Sequence, residues 1–331
     1  MTVVTDTMPA WGQHRYGEVG TVAREEAPVP APGRGEVLLR VQATGLNNAD
    51  IRVMRGEPLL VRAAFGLRRP RRPIRGMDVA GTVVALGEAV TAVAVGDRVV
   101  AELPGGGGLA PYAVAPASRL VPVAAGLDPE RAAALPIAGG TAWQALELGR
   151  VASGHRVLVI GASGGVGTFS VQLARLRGAD VWALCGERNR ELVADLGASR
   201  TFDYRVVAPA GLPAGAFDVV IDIAGTAPLR DLQRLVHEGG TVVMVSGEGG
   251  RLLGPIGRLL RAALLSIGSK RPVRMLAAAA KPDVLRELVA LTADGRLRPV
   301  IERTFGFDEA DAALAHVAAG HTVGKVVVRA P

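Results

Sequence analysis

Residues 157–160 read Val-Leu-Val-Ile, a short unbroken apolar run that suits a parallel strand buried on both faces. Beyond the glycines that come next, Phe169, Val171, Leu173, Ala174 and Leu176 recur at roughly helical spacing, and Gly178 closes the segment. This texture holds from Pro129 onward. Helices are predicted over 130–135 and 141–148, and strands over 157–160, 180–184, 219–223 and 241–245, which together form a βαβ series. Ahead of Pro129 the pattern is different: strands over 36–43, 80–86, 97–101 and 112–115, separated by Gly and Pro, predict an irregular all-β region. "PVPAPGRGE" (28–36) is the loop before its first strong strand. Near the end, "KPDVLRELVALTADGRLRPVI" predicts a helix, a turn at Gly295 and a strand, and "GHTVGKVVVRA" predicts a last strand. No internal repeat is visible.

At 331 residues the chain has room for two domains with real cores, and 49% hydrophobic with 21% charged residues is a globular balance. No N-terminal apolar run follows a basic segment, and no stretch of about 18 uncharged apolar residues occurs. The expectation is a cytoplasmic protein without a membrane span. The lone cysteine, Cys185, excludes an internal disulfide. A net charge of +7 raises the question of nucleic acid, but only Lys270, Lys281 and Lys325 of the 38 basic residues are lysine. That skew reads as coding bias. Aromatics for base stacking are scarce at 4%, so no nucleic-acid partner is expected.

Two segments stand apart. "RLLGPIGRLLRAALLSIGSKRPVRML" (251–276) is apolar and basic, interrupted by Gly254, Pro255 and Gly257. It reads as a helix packing over a cleft or a subunit contact, with a membrane-surface helix as the alternative. "GLRRPRRPIRG" (66–76) reads as a solvated loop, or as a basic rim favouring anionic substrates.

The chemistry concentrates at Ala162-Ser163-Gly164-Gly165-Val166-Gly167, between the 157–160 strand and the next helix. A glycine-rich turn there can hold a pyrophosphate through backbone N–H groups and the helix dipole. Gly164 admits close approach of the phosphates, Gly167 admits close packing of helix and strand, and Ala162 adds one methyl that a slightly wider turn accepts. A tight turn without ligand is the bland alternative. The strand over 180–184 ends at Cys185-Gly186 without the acidic residue that commonly binds an NAD ribose; Arg188 and Asn189 come next, and a guanidinium suits a 2′-phosphate. Glu187 either opposes that phosphate or pairs with Arg188 or Arg190. The balance points to NADPH. The five histidines show no catalytic spacing, and no Ser-His-Asp arrangement supports hydrolysis.

Seven stretches, "GLNNAD" (45–50), "GMDVAGTVVALGEAVTAVAVGDRVVA" (76–101), "AAALPIAGGTAWQAL" (132–146), "VLVIGASGGVG" (157–167), "LGASRTFDY" (196–204), "FDVVIDIAG" (217–225) and "GKVVV" (324–328), occur in an order that resembles the medium-chain dehydrogenase/reductase superfamily. Within it the chain resembles the zinc-free quinone oxidoreductase and enoyl reductase branch. The resemblance implies an α/β protein in which a GroES-like, β-rich catalytic domain (1–123 and 279–331) flanks a Rossmann NADP-binding domain (124–278). It also implies a homodimer acting on a small molecule. Zinc-dependent relatives carry a cysteine at Asn47 and a His-Glu pair at Met77-Asp78, so no metal is expected.

By the same resemblance Asn47 lies near the nicotinamide and the substrate, and Asp50 organises its loop. Many members have a tyrosine at Arg52. The guanidinium either stabilises a developing oxygen charge or pairs with Asp50 or another carboxylate. Thr141 aligns with a threonine near the nicotinamide, or is a helix-start hydroxyl after Gly139-Gly140. Ser246 and Gly247 run along the cofactor at a strand's end, Tyr204 borders the adenosine half, and Lys325, after Gly324 on the strand returning toward the cleft, is expected to contact the cofactor. The implied reaction is hydride transfer from NADPH to a quinone or an α,β-unsaturated carbonyl. Zinc-free ketone or aldehyde reduction is one rival, and a weakly catalytic nucleotide-binding protein acting through RNA or a protein partner is another.

Overall fold

The structure, a computed structural model, describes residues 7–124, 126–245 and 256–331. It separates into two compact units, one formed by the chain up to Ile137 together with Ala280–Pro331, the other by Ala138–Ala279. The chain runs β1 (Thr7–Gln13), β2 (Val22–Pro28), β3 (Glu36–Leu46), α1 (Asn48–Arg55), α2 (Val61–Phe65), β4 (Asp78–Leu86), β5 (Arg98–Glu102), β6 (Tyr112–Pro116), β7 (Val121–Pro122), α3 (Pro129–Ala133) and α4 (Pro136–Leu148). It continues through β8 (Arg156–Ile160), α5 (Gly165–Leu176), β9 (Asp180–Cys185), α6 (Arg190–Asp195), β10 (Arg200–Asp203), β11 (Phe217–Asp222), α7 (Leu229–Leu235), β12 (Val236–Met244), α8 (Ile256–Ser266) and β13 (Val273–Met275). It returns to the first unit with α9 (Pro282–Ala293), β14 (Ile301–Phe305), α10 (Ala310–Ala318) and β15 (Lys325–Arg329).

In the first unit a sheet of order β14-β15-β3-β4-β5-β7 is joined by β6 alongside β3. Val37, Leu39 and Val41 alternate inward from β3 and meet Val79, Val83 and Val99 in one core, as the two-residue side-chain period of a strand requires. A second core gathers Leu46, Ile51, Met54, Leu314, Val326 and Val328 around α1, α10 and β15. Gly45 is where α3 closes on β3: a Cβ there would stand 2.2 Å from the Ala133 carbonyl oxygen. Gly45 of β3 faces Asp78 of β4, and Leu46 faces Val326 of β15. These two registers bring the ends of three strands to one place.

The second unit is a six-stranded parallel sheet in the order β10-β9-β8-β11-β12-β13. Numbered along the chain, that is third, second, first, fourth, fifth, sixth, the doubly wound order whose direction reverses between the first and fourth strands. Leu158, Ile160, Leu184, Phe217, Val220, Val242 and Met244 fill its core. The Trp182 ring meets Phe217 edge-on at 5.3 Å between centroids.

The predicted α/β class and the strands at both ends of the βαβ series are present, and the differences have local causes. β10 and β13 have only four and three residues and carry no alternation of their own; their neighbours in the sheet define them. α4 begins at Pro136, not at 141, because Gly139 and Gly140 lie within the helix instead of before it. The segment 251–276 is not one helix: α8 ends at Ser266 and β13 comes after it, with 251–255 outside the described residues. The 66–76 segment is a loop, but Arg75 is buried, with Nε donating to the Pro73 carbonyl at 3.3 Å and Nη2 to the carbonyl of Arg72. A guanidinium so wrapped in backbone acceptors is not solvated.

Candidate active site

Residues singled out by the sequence fall in polar groups at strand ends in both units. In the first unit Asn47 follows the last residue of β3 and opens α1. Its N–H donates to Asp50 Oδ2 at 2.9 Å, three residues on, the reach of a capping carboxylate. Its side-chain amide points into the place where β3, β4 and β15 end. Nδ2 donates to Asp78 Oδ2 at 2.8 Å and makes a long contact of 3.4 Å with the Gly45 carbonyl. Oδ1 accepts from Lys325 Nζ, which also donates to the Leu46 carbonyl at 2.8 Å and stands 3.8 Å from Asp78 Oδ2.

Asn47, Asp50, Asp78 and Lys325 are all buried. Burial pushes the Asp78 carboxyl up to about 8, against the opposing pull of the Lys325 ammonium. Burial likewise lowers Lys325, against Asp78 and Asp50, and raises Asp50, against the Asn47 N–H and Lys325. Arg75 lies within electrostatic reach of Asp50 and is lowered to about 10 by burial. Asp50 and Asp78 share this interior with the Lys325 and Arg75 cations, and Glu102, itself raised by burial, is a third carboxyl within electrostatic reach of both aspartates. Asp78 Oδ1 is buried without a protein partner among the described residues.

Arg52 does not join the cluster. It lies on the exposed side of α1, whereas Asp50, Ile51, Val53 and Met54 form the buried side. It makes no ion pair with Asp50, whose carboxylate is turned to the Asn47 backbone, so that alternative reading of Arg52 is corrected.

In the second unit β8 runs into the glycine turn. Gly161 has φ +86°, a left-handed conformation that costs glycine little. The tight position of the turn is therefore one residue before Ala162, whose buried methyl needs no widened turn. At Gly167 a Cβ would stand 2.2 Å from the Gly161 carbonyl oxygen and within 2.7 Å of Ala162, so α5 packs closely on the turn. Gly164 differs: its φ of −77° suits any residue, and its Cβ would meet nothing nearer than 3.6 Å. Gly164 caps α5 with no side-chain bond, and Gly165, Val166 and Gly167 form the first turn, where helix amides have no intrahelical acceptor. Asn189 Nδ2 donates to Ser163 Oγ at 3.1 Å, tying the end of β9 to this turn.

Glu187 pairs with Arg190 at 3.0 Å, and Arg188 is exposed beside it. β10 pairs with β9 through Asp203↔Cys185, which carries Tyr204 and Arg205 to the same strand end. The Arg205 guanidinium stacks over the Tyr204 ring at 4.6 Å, and Arg205 Nη1 lies 3.2 Å from where a Gly186 Cβ would be. Sequence reasoning missed Arg205; its one local signal is adjacency to Tyr204. It also treated Asp78 only as a position where relatives bind metal, since nothing short of the β3–β4 register joins it to Asn47. Thr141 is half-buried inside α4, five residues past its start. Ser246 and Gly247 lie outside the described residues.

Residues 33–125 match the model of the alcohol dehydrogenase GroES-like domain, and residues 196–328 match that of zinc-binding dehydrogenases. A chloroplastic quinone oxidoreductase of Triphysaria versicolor is 36% identical over 314 residues, 92% of each chain. The chain belongs to the medium-chain dehydrogenase/reductase superfamily, in its quinone oxidoreductase branch. A 2-methylene-furan-3-one reductase of Solanum lycopersicum is 30% identical over 338 residues, 98% of this chain and 80% of that one. The solved quinone oxidoreductase of Coxiella burnetii superposes with a TM-score of 0.85 at 27% identity, covering 98% of this chain and 99% of its own. As a member of this superfamily the protein is an oxidoreductase with a GroES-like sheet and a Rossmann-type sheet, and the family uses a nicotinamide cofactor. The glycine turn fits the pyrophosphate of such a cofactor, because Gly164 is open on the side its own chain leaves empty. Among the described residues no helix is long and apolar enough to cross a membrane.

Proposed function

We propose that this oxidoreductase reduces a quinone, or the carbon–carbon double bond of an α,β-unsaturated carbonyl, with NADPH and without zinc. The observation that carries this reading is the donor set around Asn47. Its Oδ1 already faces an ammonium, Asp78 lies 3.8 Å from the same ammonium, and Met77 offers a buried thioether. Catalytic zinc takes thiolate, imidazole or carboxylate ligands; of the three residues only Asp78 is one of these, and it stands beside an ammonium, so the set does not fit zinc. Among the described residues no three His, Cys, Asp or Glu side chains gather as a ligand set.

Bound NADPH supplies the hydride. The amides of Gly165, Val166 and Gly167 are suited to hold its pyrophosphate, with Ser163 and Asn189 bracing the turn, and Arg188 and Arg205 to meet a 2′-phosphate. Asn47 is the group assigned to the acceptor's oxygen. A quinone or enone receives hydride to give an anion delocalised onto oxygen, which takes its proton from water afterwards. A saturated ketone becomes a localised alkoxide that needs a Lewis acid or a positioned donor during transfer. The names of the quinone oxidoreductase and furanone reductase relatives support the same acceptor class.

The test is NADPH oxidation with a quinone, an enone and a saturated ketone of matched size. The expected kcat/KM for the first two exceeds that for the ketone by about a hundredfold or more, roughly 2.7 kcal/mol in the barrier. Efficient ketone reduction would reveal a proton donor other than the residues named above and overturn the reading.

A further inference from the structure

The Asn47 amide has one acceptor end and one donor end, and its neighbours accept no exchange of the two. An ammonium only donates, so Lys325 must face Oδ1; Asp78 Oδ2, which already accepts the Ile137 N–H, then faces Nδ2 as an acceptor. Turning the amide over would set oxygen against an accepting oxygen and N–H against ammonium, losing both bonds at once, the charge-assisted one to Lys325 included. Both neighbours are themselves pinned. Lys325 Nζ donates to the Leu46 carbonyl at 2.8 Å, and Asp78 Oδ2 accepts from the Ile137 N–H at 3.3 Å. Nδ2 carries two hydrogens. One is spent on Asp78 at 2.8 Å, and the other meets only the Gly45 carbonyl at 3.4 Å.

We infer that Lys325 and Asp78 are positioning residues that fix the Asn47 amide one way round, so that its loosely held second Nδ2 hydrogen is the one offered to the acceptor oxygen. The inference rests on the function proposed above. Lys325 is thus assigned a role other than cofactor contact: it acts on the reaction through Asn47, and its hydrogen bond to Oδ1 polarises the amide toward donation.

Two variants isolate that bond. Lys325→Gln and Lys325→Met have similar length, and each removes the same charge, but only glutamine can donate to Asn47 Oδ1. Positioning predicts that Lys325→Met lowers kcat about ten- to a hundredfold, the cost of a misplaced group, while Lys325→Gln recovers about tenfold of it. The Kd for NADPH should agree within about twofold in both. Equal kcat in the two variants overturns the inference and leaves Lys325 a merely structural cation. If the uncompensated Asp78 prevents folding, both substitutions are made in an Asp78→Asn background, where the same split is expected. A readout without turnover runs in parallel: the 15N-detected side-chain amide of Asn47 should show two separate protons, one slow to exchange, in wild type and Lys325→Gln, and should lose that protection in Lys325→Met. Inactivity of the wild type toward every quinone and enone would sink the proposed reaction. Even then, an Asn47 amide unchanged in Lys325→Met would overturn the positioning, and a changed one would support it.

Discussion

Gly164 and Gly167 are three residues apart in one motif, and their surroundings give them different tasks. A methyl on Gly167 would have to enter the space of the Gly161 carbonyl oxygen, 2.2 Å away. Gly167→Ala should therefore destabilise the fold by about 1–3 kcal/mol or more, read as a lower Tm without any ligand. A methyl on Gly164 strains nothing in its own chain, since the nearest atom is 3.6 Å off. Gly164→Ala should leave the Tm of the free protein within about two degrees, the effect of a few tenths of a kcal/mol. It should weaken NADPH binding about tenfold or more, because the methyl stands where the pyrophosphate would approach. Equal affinity in Gly164→Ala and wild type would remove the turn from the cofactor site. The spacing of the glycines was legible in the sequence. That Gly161, not the residue at Ala162, takes the left-handed turn was not, because φ depends on how β8 delivers the chain into the helix.

At the scale of elements, the end of β9 brings two guanidiniums and an aromatic ring together. Arg188 follows β9 directly, whereas Tyr204 and Arg205 arrive because β10 lies parallel to β9 with Asp203 opposite Cys185. Two acids stand at this strand end: Glu187 is paired with Arg190, and Asp203 Oδ1 lies 3.7 Å from Arg205 Nη1. Losing a charge-assisted contact to phosphate costs about 1.5–3 kcal/mol. Arg188→Ala and Arg205→Ala should each raise the Kd for NADPH by roughly ten- to a hundredfold and change that for NADH by less than about threefold. Isothermal titration of both cofactors against both variants separates the outcomes. A wild-type preference for NADH would make Glu187 the ribose ligand and reverse the assignment.

Across the whole molecule, two sheets are built on different principles: an antiparallel-rich one packed with α3 and α10, and a parallel one in doubly wound order. In the first, the Lys325 ammonium donates to Asn47 Oδ1 and stands 3.8 Å from Asp78 Oδ2, so a cation already occupies the place beside the Asn47 donor set. Elemental analysis should accordingly find less than about a tenth of a zinc per chain. Prolonged chelation should shift neither the Tm nor the rate of quinone reduction, because removing a structural zinc would cost many kcal/mol and be plain in both. Tight zinc at one per chain would overturn the reading of the Asn47 donor set.

The division of labour between sequence and tertiary structure tracks the range of the interactions concerned. Apolar periodicity, turn glycines and the β-strand–glycine–helix order are local, and they determined the α/β class, the nucleotide motif and the β-rich flanks without reference to distant residues. The same locality explains the errors. β10 and β13 are too short to show a period, α4 reaches back over two glycines that propensity alone would place outside it, and Arg75 sits in a run of arginines whose composition says surface. Asn47 was legible as a candidate site residue, but its partners were not. Lys325 is 278 residues away in sequence and Asp78 is 31 away, and only the pairing of β15 and β4 with β3 sets them on the two ends of one amide. A residue's chemical type is written in the chain. Whether a lysine meets solvent, a phosphate or the oxygen of a buried asparagine is decided by strand register, because hydrogen bonds and charge pairs act over a few ångströms that sequence separation does not measure.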